Sequence, residues 1–463
     1  MRALGRFLLF VIVLTAAVGG VAYYLAGRQP GPTIEIRAPE KLVGQTASLD
    51  VAVETPGGQL SSLTAVVEQK DLRETVFSLD VAGATGEIKQ ESPDRLLIAR
   101  PMGKKALPAL AAGPARVTVT ASRPVLFGLR QVSTVATRDL EVRLTPPRVG
   151  IVSLHHFVNH GGAEFVVYRV SPGDSASGVR VGEAAFRGFP GSSVGLSDPE
   201  LHVGFFALAH DQELNAPVRA FARDAAGNEA STPIDHRVFP RPFAKSRIDI
   251  DQSFLERIVP AIASNTQDLA VSTASPDDLL AGFLTINGEL RRQNNDAIKA
   301  LAKKSQTDML WKDAFSQMGS SAVQSRFADY RTYFFKGKEI DRQVHLGFDL
   351  ASTAHAPVLA ANRGTVVFAS FLGIYGNCVV IDHGLGVQSL YAHLSTLAVK
   401  EGDSVEKGHE LGRTGITGLA GGDHLHFTLL VDGTAVNPVE WWDAHWLEDR
   451  VYRKIREAGG TEQ

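Results

Sequence analysis

Four short pieces near the C-terminus stand out, and three of them carry five residues with metal- or proton-handling side chains. These are His345-Leu-Gly-Phe-Asp349, Tyr391-Ala-His393-Leu, Gly412-Arg-Thr-Gly415 and His424-Leu-His426. Imidazole nitrogen and carboxylate oxygen both suit Zn²⁺, and a hydrolytic zinc centre takes three protein ligands and keeps a fourth position open. Four imidazoles and one carboxylate supply three such ligands and two further proton-handling groups. His424-Leu-His426 runs into Phe427–Val431, an apolar stretch that reads as a strand. Side chains repeat with period two along a strand, so His424 and His426 face the same side. One can hold the metal while the other faces the same cleft. The chain contains no His-Glu-x-x-His helix, so a glutamate base of that kind is not expected.

The elements that must position these groups are β in texture and rich in glycine. Gly364–Ala369, Gly376–Ile381, Gln388–Leu394 and His426–Val431 read as strands, and Asp432-Gly433 is a hairpin turn. An all-β unit of this kind, residues 326–446, can present an open groove, with Trp441, Trp442 and Trp446 packing its end and 447–463 a polar tail carrying one short helix. Residues 243–325 read as a helical linker segment. Ser253-Phe-Leu-Glu256 is a capping-box pattern, and Ser275-Pro276 sets a cap residue before a first-turn proline. Residues 30–146 and 147–242 each alternate apolar and polar residues with turn signals such as Pro56-Gly-Gly58, which predicts two immunoglobulin-like β-sandwich units. The histidines of the second unit (His155, His156, His160, His202 and His210) are expected on its surface or in its core, as are His355, His383, His409 and His445 in the last domain.

The segment from about Arg326 to Trp446 resembles the lysostaphin-type, LytM-like zinc peptidoglycan endopeptidases. The resemblance covers roughly a quarter of the chain. Tyr375–Gly384 and Gly412–Gly418 match the family's strand and turn signatures. By that resemblance His345, Asp349 and His426 are the zinc ligands, one ion per domain, and His393 and His424 are the catalytic histidines. Asp423 departs from the pattern, because many members carry proline before the His-x-His. The resemblance implies a zinc metalloendopeptidase that cuts peptide bonds in peptidoglycan stems or cross-links. The alternative within the family is a non-catalytic cell-wall scaffold or amidase activator, in which ligands have been lost; none of the five residues is missing here.

The 463 residues suggest several domains, and 44% hydrophobic with 21% charged residues is an ordinary globular composition. A net charge of −3 argues against a nucleic-acid partner. Cys378 is the single cysteine, so no intramolecular disulfide forms, and its apolar neighbours make it a core residue. Residues 7–27 carry no formal charge, enough for a helix of about 30 Å, the thickness of a bilayer's hydrocarbon. Arg2 and Arg6 precede the run, and Tyr23 and Tyr24 stand near its far end. Residues 1–29 therefore read as a cytoplasmic tip and transmembrane anchor in the inner membrane, single-pass, with the rest of the chain in the periplasm. Expected partners are peptidoglycan, the membrane, and cell-wall or division proteins met through the sandwich units.

Overall fold

The computed structural model describes residues 2–460 apart from 56, 58–59 and 80–86; Pro56 and Gly58 of the expected turn lie outside the described residues. Arg2–Ala26 is one helix. Its Leu4–Ala26 portion includes an unburied 18-residue window with a mean hydropathy of 2.3, so by length and composition it is able to cross a bilayer.

Met1–Pro147, with Arg223–Glu229, forms one compact unit. Its strands follow the period-two pattern closely: Ser62–Gln69 buries every second side chain. One sheet has the order Thr33–Ala38, Ser48–Glu54, Arg95–Pro101, Glu87–Ser92. The other runs Leu42–Val43, Arg130–Val142, Gly113–Val125, Ser62–Gln69, Leu72–Ser78. Val51, Val53 and Ile98 from the first sheet share a core with Leu63, Val117 and Val119 from the second.

Arg148–Ala222 and Ala230–Gln463 form the second unit. Its strands Ala163–Ser171 and Leu201–Ala207 are buried along nearly their whole length, so both of their faces are covered. The Phe205 ring lies 5.1 Å from Trp441 and 6.4 Å from Trp311, and one apolar core runs from this β region into the C-terminal domain. The expected polar tail is docked as well. Leu447, Val451 and Ile455, four apart on consecutive helical turns, are buried, and Lys454 pairs with the buried Glu164 at 2.8 Å.

The helical texture expected over 243–325 is confined to Gln252–Lys304. Lys245–Ile250 alternates exposed and less exposed side chains and pairs in parallel with Asp329–Phe335, while Ala322–Ser325 joins the large C-terminal sheet. The first helix is capped by Asp251, which accepts from Phe254 N at 2.8 Å, rather than by Ser253, whose hydroxyl donates to Asp251. Ser275 caps the next helix, with Pro276 in its first turn. These helices pack on loops of the C-terminal domain. Arg257 donates to Ala420 O, Ile374 N donates to Asn294 Oδ1, and Tyr375 Oη donates to Asn295 Oδ1.

The C-terminal sheet has the order Ala322–Ser325, Phe348–Ala351, Leu425–Val431, Val387–Leu394, Asn377–Asp382, Gly364–Phe371, Ser404–Val405. Its two central strands are wholly buried. Cys378 is buried in it, and burial pushes its thiol up.

Candidate active site

Sheet register brings the first two candidate residues together. Asp349 on Phe348–Ala351 stands directly opposite His426 on Leu425–Val431, and cross-strand partners share a face. His345 ends the strand Lys338–His345 and is returned to the same point by a turn at Leu346-Gly347. A Cβ on Gly347 would lie 2.6 Å from His426 Cε1 and from Thr428 Oγ1, so only glycine lets the backbone pass this close. Among the described residues, His345, Asp349 and His426 form a group whose ligand atoms lie within 4.8 Å of one another. His345 Nε2 is 2.9 Å from Asp349 Oδ1 and 2.9 Å from His426 Nδ1, and His426 Nδ1 is 3.0 Å from the same Oδ1.

The outer partners fix which nitrogen carries each proton. His345 Nδ1 lies 3.2 Å from Arg326 O, a group that only accepts, so Nδ1 holds the proton and Nε2 presents a lone pair. Thr428 Oγ1 donates to Leu346 O at 2.9 Å and is left to accept from His426 Nε2 at 3.0 Å. His426 Nδ1 therefore also presents a lone pair. Two imidazole lone pairs and a carboxylate oxygen converge with no proton between them. Ligand atoms around a tetrahedral zinc ion stand roughly 3.3 Å from one another, close to the spacing here, and the donor set is one that zinc accepts. The residues fit a divalent cation.

Burial would raise the Asp349 carboxyl, but the imidazoles gathered around it hold it well below the usual range. Its other oxygen accepts from Arg331 Nη2 at 2.8 Å. Burial pushes His426 down to about 4, which favours the neutral imidazole with its lone pair free.

The remaining histidines approach from two directions. His424 lies on the same side as His426, as the period-two spacing requires, with Nε2 3.4 Å from Asp349 Oδ1. Its Nδ1 lies 2.7 Å from Gly422 O, to which it donates. Burial would lower this imidazole, yet the Asp349 carboxylate raises it above its ordinary value. His393 is different. Ala392, not His393, stands opposite His426, so a regular strand would turn His393 to the other face. Its φ of 64° swings it back, and its ring centre lies 4.8 Å from that of His424 and 5.7 Å from that of His426. His393 Nδ1 donates to Thr417 O at 2.8 Å, which leaves Nε2 for the cleft, and burial lowers its pKa well below the ordinary value.

Thr417 is held by the two glycine-rich signatures meeting. Gly376 and Gly418 pack backbone to backbone, both at positive φ, and Thr417 Oγ1 accepts from Asn377 N at 3.0 Å. Asp423 ties the loop ahead of the His-x-His strand: it accepts from Thr414 Oγ1 at 2.5 Å and from His355 N at 3.2 Å. His383 takes no part, since its ring is buried between Arg363 O and Ser389 Oγ.

The five residues line a cleft of ≈ 90 Å³, walled further by Arg331, Tyr333, Tyr375, Leu419 and by Arg291 from the helices. A larger space of ≈ 500 Å³ shares Arg331, Tyr333 and Leu419 and continues along Ile248–Asp251 and Arg257. The groove thus has a helical wall that sequence patterning did not reveal. Arg331 and Thr428 were also missed. Thr428 follows His426 by two residues and so shares its face, a signal available from the strand pattern; Arg331 gave none.

Residues 343–438 match the model of Peptidase family M23. Over 97 residues the chain is 42% identical to the DD-carboxypeptidase/endopeptidase Mpg of Neisseria meningitidis serogroup B, covering 21% of this chain and 22% of the relative. Over 181 residues it is 28% identical to the peptidoglycan DD-endopeptidase ShyA of Vibrio cholerae, covering 39% of each. The chain therefore spans well under half the length of these curated relatives. Among solved structures, the catalytic domain of lysostaphin from Staphylococcus simulans aligns at 27% identity with a TM-score of 0.25, covering 28% of this chain and 98% of that one.

Proposed function

With its C-terminal domain a member of the LytM-like M23 peptidase family, we propose that the protein is a membrane-anchored zinc metalloendopeptidase that hydrolyses peptide bonds in peptidoglycan stems or cross-links. The observation that carries this reading is the convergence of two imidazole lone pairs and one carboxylate oxygen on a single point beside two further imidazoles. His345, Asp349 and His426 would hold the zinc ion. When bound, the ion supplies Lewis acidity for the scissile carbonyl and makes water a competent nucleophile near neutral pH.

The other groups divide the proton work. His393, with Nδ1–H committed to Thr417 O, offers a free Nε2 lone pair and serves as general base toward water. His424, with Nδ1–H on Gly422 O and Nε2 toward Asp349, is favoured as the charged form and serves as donor to the carbonyl oxygen or the leaving amine. Arg331 holds Asp349 in place through its second oxygen. The groove between the sheet and the helical wall is the expected seat of the peptide. Relatives named as DD-carboxypeptidase/endopeptidase and DD-endopeptidase support a bond between D-configured centres. The apolar N-terminal helix supports single-pass anchoring in the inner membrane, with the domains on the periplasmic side.

The test is digestion of purified peptidoglycan with the zinc-loaded full chain, followed by mass spectrometry of the released fragments. New amine termini within the peptide stems are expected. Stoichiometric zinc binding with no fragment released would place the protein with the non-catalytic scaffolds.

A further inference from the structure

The hairpin joining Gly113–Val125 to Arg130–Val142 ends in an apolar tip that its own unit does not cover. Phe127 is fully bare at 103% relative exposure and Leu129 is 75% exposed. Leu126 and Phe127 both adopt positive φ, 51° and 58°, in a turn where glycine, asparagine or aspartate is the usual solution. Isolated exposed leucines need no account. A bare phenylalanine beside a leucine, in a backbone conformation that disfavours both, does.

The position of the tip supplies that account. Following the chain back from the first strand toward the N-terminal helix, Gly31 lies against Thr134 and Val132. Arg123 Nε then donates to Pro30 O at 2.8 Å and its Nη2 to Gln29 Oε1 at 3.3 Å. Arg130 Nη1 donates to Tyr23 O at 2.6 Å, and its guanidinium lies 4.6 Å from the centre of the Tyr23 ring. The contacts move along the hairpin toward its tip as the chain moves back into the helix. Hairpin and helix therefore run side by side, and residues 126–129 lie beyond Arg130, level with the last turns of the helix. Leu4–Ala26 is 23 residues, about 34 Å at 1.5 Å per residue, against a hydrocarbon thickness of roughly 30 Å. That places Tyr23 and Tyr24 at the outer interface, the depth such rings prefer.

We propose that the Leu126–Leu129 tip is a membrane-inserted loop that dips into the outer leaflet of the bilayer spanned by the N-terminal helix, its partner being the phospholipid interface. This rests on the anchored reading given above. Phe127 and Leu129 bury their side chains among the upper acyl chains, as apolar faces do in interfacial segments. Arg123 and Arg130 brace the tip against the helix exit. Two of the turn's amides are satisfied within it, Gly128 N donating to Val125 O and Leu129 N to Leu126 O, which lowers the cost of leaving water. The chain then meets the membrane at two points, and the first unit is fixed in orientation rather than swinging on a single tether.

The test uses the full chain in liposomes of phosphatidylethanolamine and phosphatidylglycerol, with an environment-sensitive fluorophore on one introduced cysteine. Native Cys378 is fully buried and does not compete for the label. The three sites are Phe127→Cys at the tip, Val13→Cys in the helix, and Thr137→Cys on the same hairpin, about 24 Å up the strand from Arg130. Lipids carrying a nitroxide along the acyl chain are then added. Loss of most fluorescence at positions 13 and 127, with none at 137, is the expected result. Quenching at 13 but a response at 127 like that at 137 overturns the insertion and leaves the anchor standing. No quenching at 13 overturns the anchored reading and the proposal with it. A blue-shifted but unquenched probe at 127 marks a protein surface over the tip and also overturns the proposal.

Discussion

Two buried clusters of charged and polar side chains lie in the second unit, and they are built on opposite terms. Beneath the β region, Glu164 is completely buried yet fully provided for. It accepts from Phe157 N, from Phe165 N and from Lys454 Nζ, whose charge offsets its own, and Lys454 also donates to Phe165 O. Burial pushes Glu164 up and Lys454 down, and their 2.8 Å contact opposes both shifts. Glu440 nearby accepts from Asn159 Nδ2 and Ala163 N. In the groove, by contrast, His345, Asp349 and His426 crowd acceptors together without a proton to share. A cluster that closes its own hydrogen bonds is structural, because breaking it strands a buried charge. A cluster that needs a cation from outside is functional, because its unmet demand is what binds the ion.

The comparison can be broken by experiment, and the largest effects belong to the open cluster. Alanine at His345, Asp349 or His426 is expected to abolish tight zinc binding and peptidoglycan hydrolysis together, with little loss of stability in the metal-free protein for the two histidines; Asp349→Ala also leaves Arg331 without its partner. Zinc held at parental affinity by all three variants, in a titration, would remove the assignment. The closed cluster answers in stability instead. Lys454→Met leaves Glu164 buried without its counter-charge and should cost about 3–5 kcal/mol in denaturant unfolding, with zinc stoichiometry unchanged. A loss under 1 kcal/mol would mean that the pair is better solvated than its burial implies.

His393→Ala and His424→Ala sharpen the division within the groove. Each should keep zinc and lose about 10²–10³ in hydrolysis, since each removes one proton-handling group and no ligand. If either sheds zinc as readily as His426→Ala, ligand and catalyst have been confused. Thr428→Val removes the acceptor that sets the His426 tautomer and should weaken zinc binding by about 10–100-fold. Unchanged affinity would show that the tautomer is set elsewhere.

The smallest effect concerns Glu440, which burial raises to about 7 despite its bonds to Asn159 and Ala163. Its folded form holds a proton that the unfolded chain releases in the ordinary carboxylate range. The stability linked to it is complete below that range and is lost as the pH rises toward about 7. Glu440→Gln removes this slope, so the variant should gain on the parent by on the order of 1 kcal/mol between mildly acidic and mildly alkaline pH. Parallel stability curves for the two would contradict the assignment.

What was legible in the sequence was local. The zinc-suited residue types, the shared face of His424 and His426, the period-two strands and the apolar N-terminal helix all follow from backbone repeats and side-chain chemistry read over a few residues. The same parity rule misplaces His393, because only its left-handed φ returns the ring to the groove. Nor could local pattern show that Gly347 makes way for His426, that Arg331 holds Asp349, or that the helices between 252 and 304 wall the groove. The outer positions of Ala163–Ser171 and Leu201–Ala207 are buried, which the local pattern did not announce. Their partners, Trp311 and Trp441, are more than a hundred residues away. Phe205 and Trp311 nevertheless share one core with the C-terminal domain. The sequence by itself determined which chemistry the chain carries and which segments are strand or helix, since both depend on neighbours along the backbone. Tertiary structure alone decided which lone pairs converge and which surfaces close over them, because those depend on how distant pieces fit in space.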